Sequence, residues 1–268
     1  MRPYLSLFKI KFINNIQYRM AAIAGISTQF FFGIVFIMVY LAFYRSGNNS
    51  NLPMNWNELV SYLWLNQIFF ALVYIWQKDR EFLNMIKDGN IAYELCRPIN
   101  FYKKWFATMY GNRIAAVLLR FLPVTIIAIL LPYPYKLLPP ISIMSFILFI
   151  IALILSSLMV TAIMILFHII TIFTIDERGI MTLLMVLGEI LAGGTIPISF
   201  FPGFLQKIAY ILPFRYIADL PFRIYSGNIT ISNAIPDLIG GLIWLITLLL
   251  FGYILSLKAT RKAVIQGG

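Results

Sequence analysis

Arg113 and Arg120 stand seven residues apart in an otherwise apolar stretch, and Glu189 stands alone in the middle of another. Ionisable side chains in apolar surroundings relay protons, bind ions or pair with one another, so these three are the first candidates for chemistry. A spacing of seven puts the two arginines on one helix face, two turns apart. Arg113 is placed to snorkel to the headgroups, whereas Arg120 lies deeper and needs a carboxylate, carbonyls or water. Two readings stay open: Arg120 pairs with Glu189 or both face an internal polar cavity, or Arg120 snorkels outward and Glu189 sits protonated or beside helix-end amides. The rest of the inventory is thin. His168 is the single histidine and Cys96 the single cysteine, which excludes an internal disulfide and a His/Cys metal set. No G-x-x-x-x-G-K-[ST], H-E-x-x-H or G-x-S-x-G motif is present, so His168 reads as a packed or interfacial residue and a membrane enzyme is a minority reading.

Such residues need elements to hold them, and composition says which kind. Of 268 residues 61% are hydrophobic and 12% charged, against roughly 45–50% and about 25% in soluble domains, and the mean hydropathy is +0.86. That excludes a water-soluble single domain and points to an all-α integral membrane protein. Six apolar stretches approach the about 20 residues that span a hydrocarbon core: Met20 to Tyr44, Leu59 to Trp76, Phe106 to Leu131, Ile141 to Phe173, Ile180 to Phe200 and Leu238 to Leu257. Polar or proline-rich breaks separate them, among them residues 45–51, Pro132-Tyr133-Pro134 with Pro139-Pro140, and Asp176-Glu177-Arg178-Gly179.

The formal charge of +11 is distributed unevenly. Fourteen basic residues fall in the N-terminal segment, the second and fourth connections and the tail, and five (Arg45, Lys136, Lys207, Arg215, Arg223) fall on the other side. The positive-inside rule then places both termini in the cytoplasm of a multi-pass plasma-membrane protein, and nucleic acid is not a partner of charges dispersed over short loops. The first apolar run is too long for a signal-peptide core, so the N-terminus is expected to be retained. Residues 1–19 place Leu5, Phe8 and Phe12 at helical spacing and read as an amphipathic helix on the interface, or as a short basic tail. Residues 20–268 read as one six-helix unit.

Two segments carry more specific signals. In the second connection, about 78–105, Met85 to Pro98 contains the turn signal Asp88-Gly89, a stretch fit for a short helix with Tyr93, Glu94 and Leu95, and the breaker Arg97-Pro98. The second, about 193–237, has Gly193-Gly194, Pro197, Pro202 and Leu212-Pro213-Phe214-Arg215-Tyr216, which breaks the fifth span into re-entrant or outer helices. Gly89, Leu95 and Arg97-Pro98 match a G-x-(several)-L-x-[RK]-P pattern, and with the L-P-F-x-Y run they make the chain resemble the permease subunits of ABC exporters of the antibiotic and polysaccharide-export type (ABC-type-2 permeases).

The resemblance implies a transmembrane subunit with no ATPase of its own and no cofactor in this chain, ATP and Mg being bound by the partner. It implies two cytoplasmic ABC ATPase subunits per complex, a second permease, identical or related, and a lipid bilayer around them. Residues Asp88, Gly89, Tyr93, Glu94, Leu95, Arg97 and Pro98 would be the coupling helix that contacts the ATPase. Scarcity of charge in the spans suits an amphipathic or lipid-like substrate. The rival reading is a secondary transporter or channel built on Glu189 and Arg120.

Overall fold

The computed structural model describes residues 2–17, 19–46, 52–174 and 179–266. Among these the regular structure is helical, with no strand. The helices are α1 (Arg2–Ile16), α2 (Arg19–Ser46), α3 (Trp56–Ile68), α4 (Phe70–Val73), α5 (Arg80–Lys87), α6 (Ile91–Leu95), α7 (Phe101–Leu118), α8 (Phe121–Leu130), α9 (Ile143–Thr174), α10 (Ile180–Leu191), α11 (Gly203–Ile211), α12 (Asp219–Ser226) and α13 (Ile231–Gln266). Residues 47–51 and 175–178, which include Arg178 and two of the expected loop signals, lie outside the described set.

Four apolar helical stretches are long enough to cross a membrane: Met20–Ser46, Phe101–Leu130, Ile143–Thr174 and Ile231–Lys262. The other two expected spans are not single long helices. The second is α3 plus the four-residue α4, broken at Phe69, and the fifth is helical only to Leu191. At 1.5 Å per residue, the 13 residues of α3 and the 12 of α10 each rise about 20 Å, short of a hydrocarbon core of about 30 Å. Ten consecutive residues of α3, Leu59 to Ile68, are buried, so its broken end is covered by protein rather than lipid.

The second of these long stretches, Phe101–Leu130, also carries a break that its apolar composition conceals. Pro123 has no N–H to give to Leu119 and its ring crowds that carbonyl, so α7 ends at Leu118 and α8 begins at Phe121 with Arg120 at the joint. The last span starts earlier than its apolar core suggests, because α13 runs from Ile231 through Pro236.

α9 is the axis of the bundle, with α13, α12, α7, α4, α10 and α5 packed on it. Small or hydroxylated residues (Ala152, Ser156, Ser157, Thr161, Ala162) are buried along it, and the hydroxyls of Ser157 and Thr161 return to carbonyls of their own helix. The two ends of the bundle differ. At one end Trp56 and Trp64 donate from their indole nitrogens to Pro134 and Tyr135, and Tyr44 donates to Met54. At the other, α6 packs against α13, Lys262 lies over the Phe173 ring, and the Asp79 amide meets His168.

α1 packs along α7, with Phe8 stacked on Phe12 and tilted against Tyr110, Asn15 donating to Asn112, and the Tyr4 hydroxyl accepting from the Asn100 amide. Leu5, Ile10 and Ile13 stay exposed, so Phe8 and Phe12 face protein while a different set of apolar residues faces outward. The close approach depends on Gly111, where a Cβ would lie 2.9 Å from the Phe8 carbonyl oxygen. Gly111→Leu is expected to lift α1 off α7, destabilising the chain by about 1–3 kcal/mol as overpacking does. Limited proteolysis of the N-terminal segment in detergent checks it, and unchanged cleavage would show that α1 docks without this contact.

Candidate coupling segment and intramembrane polar cluster

The second connection folds as two short helices. Asp79 caps α5, its side chain accepting from the Phe82 amide, and His168 accepts the Asp79 N–H through Nε2 at 3.0 Å while Nδ1 lies 2.7 Å from the Met164 carbonyl. Those partners assign the proton to Nδ1. His168 is fully buried with Phe82 edge-on against it, so it fastens α5 to α9.

α5 ends at Asp88, and Gly89 takes a φ of +70°, a left-handed geometry that suits glycine. α6 follows. The side chains of the seven expected coupling residues divide by orientation: Tyr93 is 77% exposed, and Asp88, Arg97 and Pro98 are also exposed, whereas Glu94 is turned inward onto Lys104 of α7 and Leu95 packs against the core. Arg97 flanks Glu94 at 3.6 Å. Glu94 and Leu95 therefore anchor the segment, and Tyr93, Arg97 and Pro98 form its outer face.

The structure does not join Arg120 to Glu189. Glu189 accepts the Ile75 amide at 3.3 Å, and the cation close enough to act on it is Arg113. Arg113 does not snorkel: only 3% exposed, it donates through Nη1 to the carbonyls of Leu72 at 2.7 Å, Tyr74 at 2.9 Å and Ala71 at 3.2 Å. The two side chains thus bracket the break after α4, the cation taking the carbonyls of the ending helix and the carboxylate an amide beyond it. An arginine that reaches three carbonyls from one nitrogen has a lower-energy destination inside than at the headgroups. Arg120 instead lies across α2, where a Cβ on Gly25 would come within 2.6 Å of its guanidinium carbon.

The break after α10 is closed in a comparable way. Gly193, at φ +78°, terminates the helix with the Gly194 amide on the Glu189 carbonyl and the Gly193 amide on that of Ile190, the paired bonds of a glycine-terminated helix. The next three carbonyls are covered by neighbours: Ala192 accepts the Asp219 amide, Gly193 the Tyr62 hydroxyl and Gly194 the Asn66 side chain. Pro197 and Pro202 precede a 3₁₀ turn and α11, and Pro213 opens a second 3₁₀ turn at residues 213–216.

This end holds a polar chain that the sequence reading missed. Asp219, fully buried, accepts from the Ile198 amide and from Arg223; Arg223 also donates to Tyr210 and Asn228, and Asn228 donates to Glu58. Glu58 forms a reciprocal cap with Asn55 at the start of α3. Arg215 pairs with Asp237 at 2.6 Å. Two of the five basic residues counted against the orientation are thereby neutralised by carboxylates. The signals were present as Asp219 and Arg223 four apart and as the N-x-x-E run of Asn55 and Glu58.

The chain thus combines broken helices that have buried polar closures with a short helix between two breaks that presents Tyr93 outward. The family model of the ABC-2 family transporter protein matches residues 30–267. The chain belongs to this family. ABC-2 membership makes it a membrane-embedded transporter subunit rather than an enzyme, one that works with an ATP-binding subunit. No curated protein matches this ABC-2 chain.

Proposed function

We propose that the chain is the permease subunit of an ATP-driven exporter in the plasma membrane, with both termini and α5–α6 in the cytoplasm and six membrane segments, three of them broken. Two ABC ATPase subunits, carrying ATP and Mg, engage α6, and a second permease, identical or related, completes the translocation path. The cargo is amphipathic or lipid-like, in keeping with spans that hold few charges, two of which, Arg113 and Glu189, are engaged at a break. The observation that carries the reading is α6 itself: a helix between two breaks, with Tyr93, Arg97 and Pro98 outward and Glu94 and Leu95 tied to α7 and the core.

The geometry supplies a mechanism. A push on Tyr93 and Arg97 passes through the Glu94–Lys104 pair to α7 and through the packing of α6 to α13, both long membrane helices. Nucleotide-dependent closure of the ATPases would bias two arrangements of these helices through differential contacts with α6. A scheme coupled to ions through Glu189 and Arg120 is less favoured, because Glu189 is engaged on the Ile75 amide and the two do not meet.

Tyr93→Asp combined with Arg97→Glu is expected to abolish copurification of the ATPase and ATP-dependent transport while leaving the permease folded, since both side chains are exposed. Leu95 is a poor test because it packs on the core. Detergent extraction followed by affinity capture and thermal unfolding of the variant provides the check. Retention of the ATPase by a folded double variant would remove α6 from the interface, and a folded wild-type chain with no ATPase partner would end the exporter reading.

A further inference from the structure

We infer that a cavity between α1, α2, α5 and α7 binds the phosphate of an anionic phospholipid headgroup. The cavity measures about 650 Å³ and is lined on its polar side by Lys11, Asn15, Arg80, Glu81, Asn112 and Arg120. Its other wall is made of small or apolar residues: Ala21 and Ala22 of α2, Ala116 of α7 and Leu119 at the α7–α8 joint.

The charges do not balance inside it. Glu81 is the single carboxylate of the lining, and Lys11 pairs with it. Arg80 and Arg120 are left with no carboxylate partner among the described residues. Arg120 is the stronger case: its Nε is buried with no hydrogen-bond partner, and no other hydrogen bond from its guanidinium is formed among the described residues. A guanidinium whose Nε is buried without a partner, at the wall of a cavity with a second arginine that has no carboxylate partner among the described residues, is matched by the oxygens of a phosphate.

A lipid phosphate fits better than a free one because of where the cavity lies. α2 is a membrane-crossing helix, and beside Ala21 and Ala22 it exposes Met20 and Ile23, at 77% and 56%. Acyl chains can lie against that face while the headgroup enters among Asn15, Asn112 and the arginines. The bound lipid would fasten α1 and α5 to the α7–α8 joint. This site is independent of α6 and of any ATPase, so it stands or falls separately from the exporter reading.

The test uses the full chain in a mild neutral detergent without ATPase, with thermal unfolding as the readout. Dioctanoyl phosphatidylglycerol, dioctanoyl phosphatidylcholine and inorganic phosphate are titrated in turn. Phosphatidylglycerol is expected to raise the midpoint by a few degrees and saturably, as a ligand of the folded state does. Arg120→Gln is expected to weaken its apparent affinity about tenfold, a loss of about 1.4 kcal/mol, with Arg120→Lys intermediate. Arg80→Gln, on the exposed face of α5, gives the same reading should Arg120→Gln fail to fold. Equal responses of wild type and both glutamine variants would overturn the site. Equal saturation by inorganic phosphate, lost in the variants, would overturn the lipid assignment, and so would an equal response to phosphatidylcholine.

Discussion

Arg113→Gln is expected to destabilise the folded chain by about 3 kcal/mol or more, enough to remove most folded protein from detergent extracts. Nη1 of Arg113 serves the carbonyls of Ala71, Leu72 and Tyr74. A glutamine is shorter and neutral, so it reaches fewer of these groups and leaves Glu189 without its nearby cation. Buried carbonyls that lose their donor forfeit their bond and stay desolvated, which costs more than the bond alone. Arg113→Lys keeps the charge but not the planar geometry, and is expected to fall between wild type and glutamine. Size-exclusion profiles and thermal midpoints of the three chains provide the measurement. A glutamine variant as stable as wild type would show that the break after α4 holds without this side chain.

Asp219→Ala is expected to cost about 3–5 kcal/mol, the range for removing one partner of a buried ion pair. Asp219 is fully buried, Arg223 has 13% of its side chain exposed, and the Ile198 amide also depends on the carboxylate. Loss of the acid strands a cation and an amide together. Removing both partners strands less, so Asp219→Ala with Arg223→Ala is expected to be less damaging than the two single effects added. Denaturant midpoints for the four chains of this cycle decide it, and strict additivity would mean that the pair does not act as a unit. Asp219→Asn should be milder than alanine, because an amide oxygen can still accept from Ile198.

The two results concern one design. Two of the broken membrane segments leave backbone groups that are closed by side chains from other elements: Arg113 and Glu189 after α4, Tyr62 and Asn66 with the Asp219 amide after α10. Tyr62 and Asn66, buried in α3, are explained by the helix end they face. That division also separates structural charges from the Arg120 and Arg80 pair, which close nothing among the described residues and line a cavity instead.

What the sequence by itself determined is whatever depends on local composition. Apolar content fixed a helical membrane protein, Asp88-Gly89 and Arg97-Pro98 bounded the short helix now seen at Ile91–Leu95, and Gly193-Gly194 marked the end of the fifth segment. Hydropathy averages over a window, so it could not register the break at Arg120 imposed by Pro123, nor the shortness of α3 and α10, and it returned six spans where, among the described residues, four helical stretches are long enough by themselves. Partner choice was out of reach for a different reason. Arg113 lies about 40 residues from the carbonyls it serves and 76 from Glu189, and the local pattern, which set Arg113 toward the headgroups and Arg120 deeper, could not show which of them meets carbonyls inside. Only the packing of α7 against α4 gave one arginine three carbonyls and left the other at the wall of a cavity, because the energy of a buried charge is set by the groups that surround it in space.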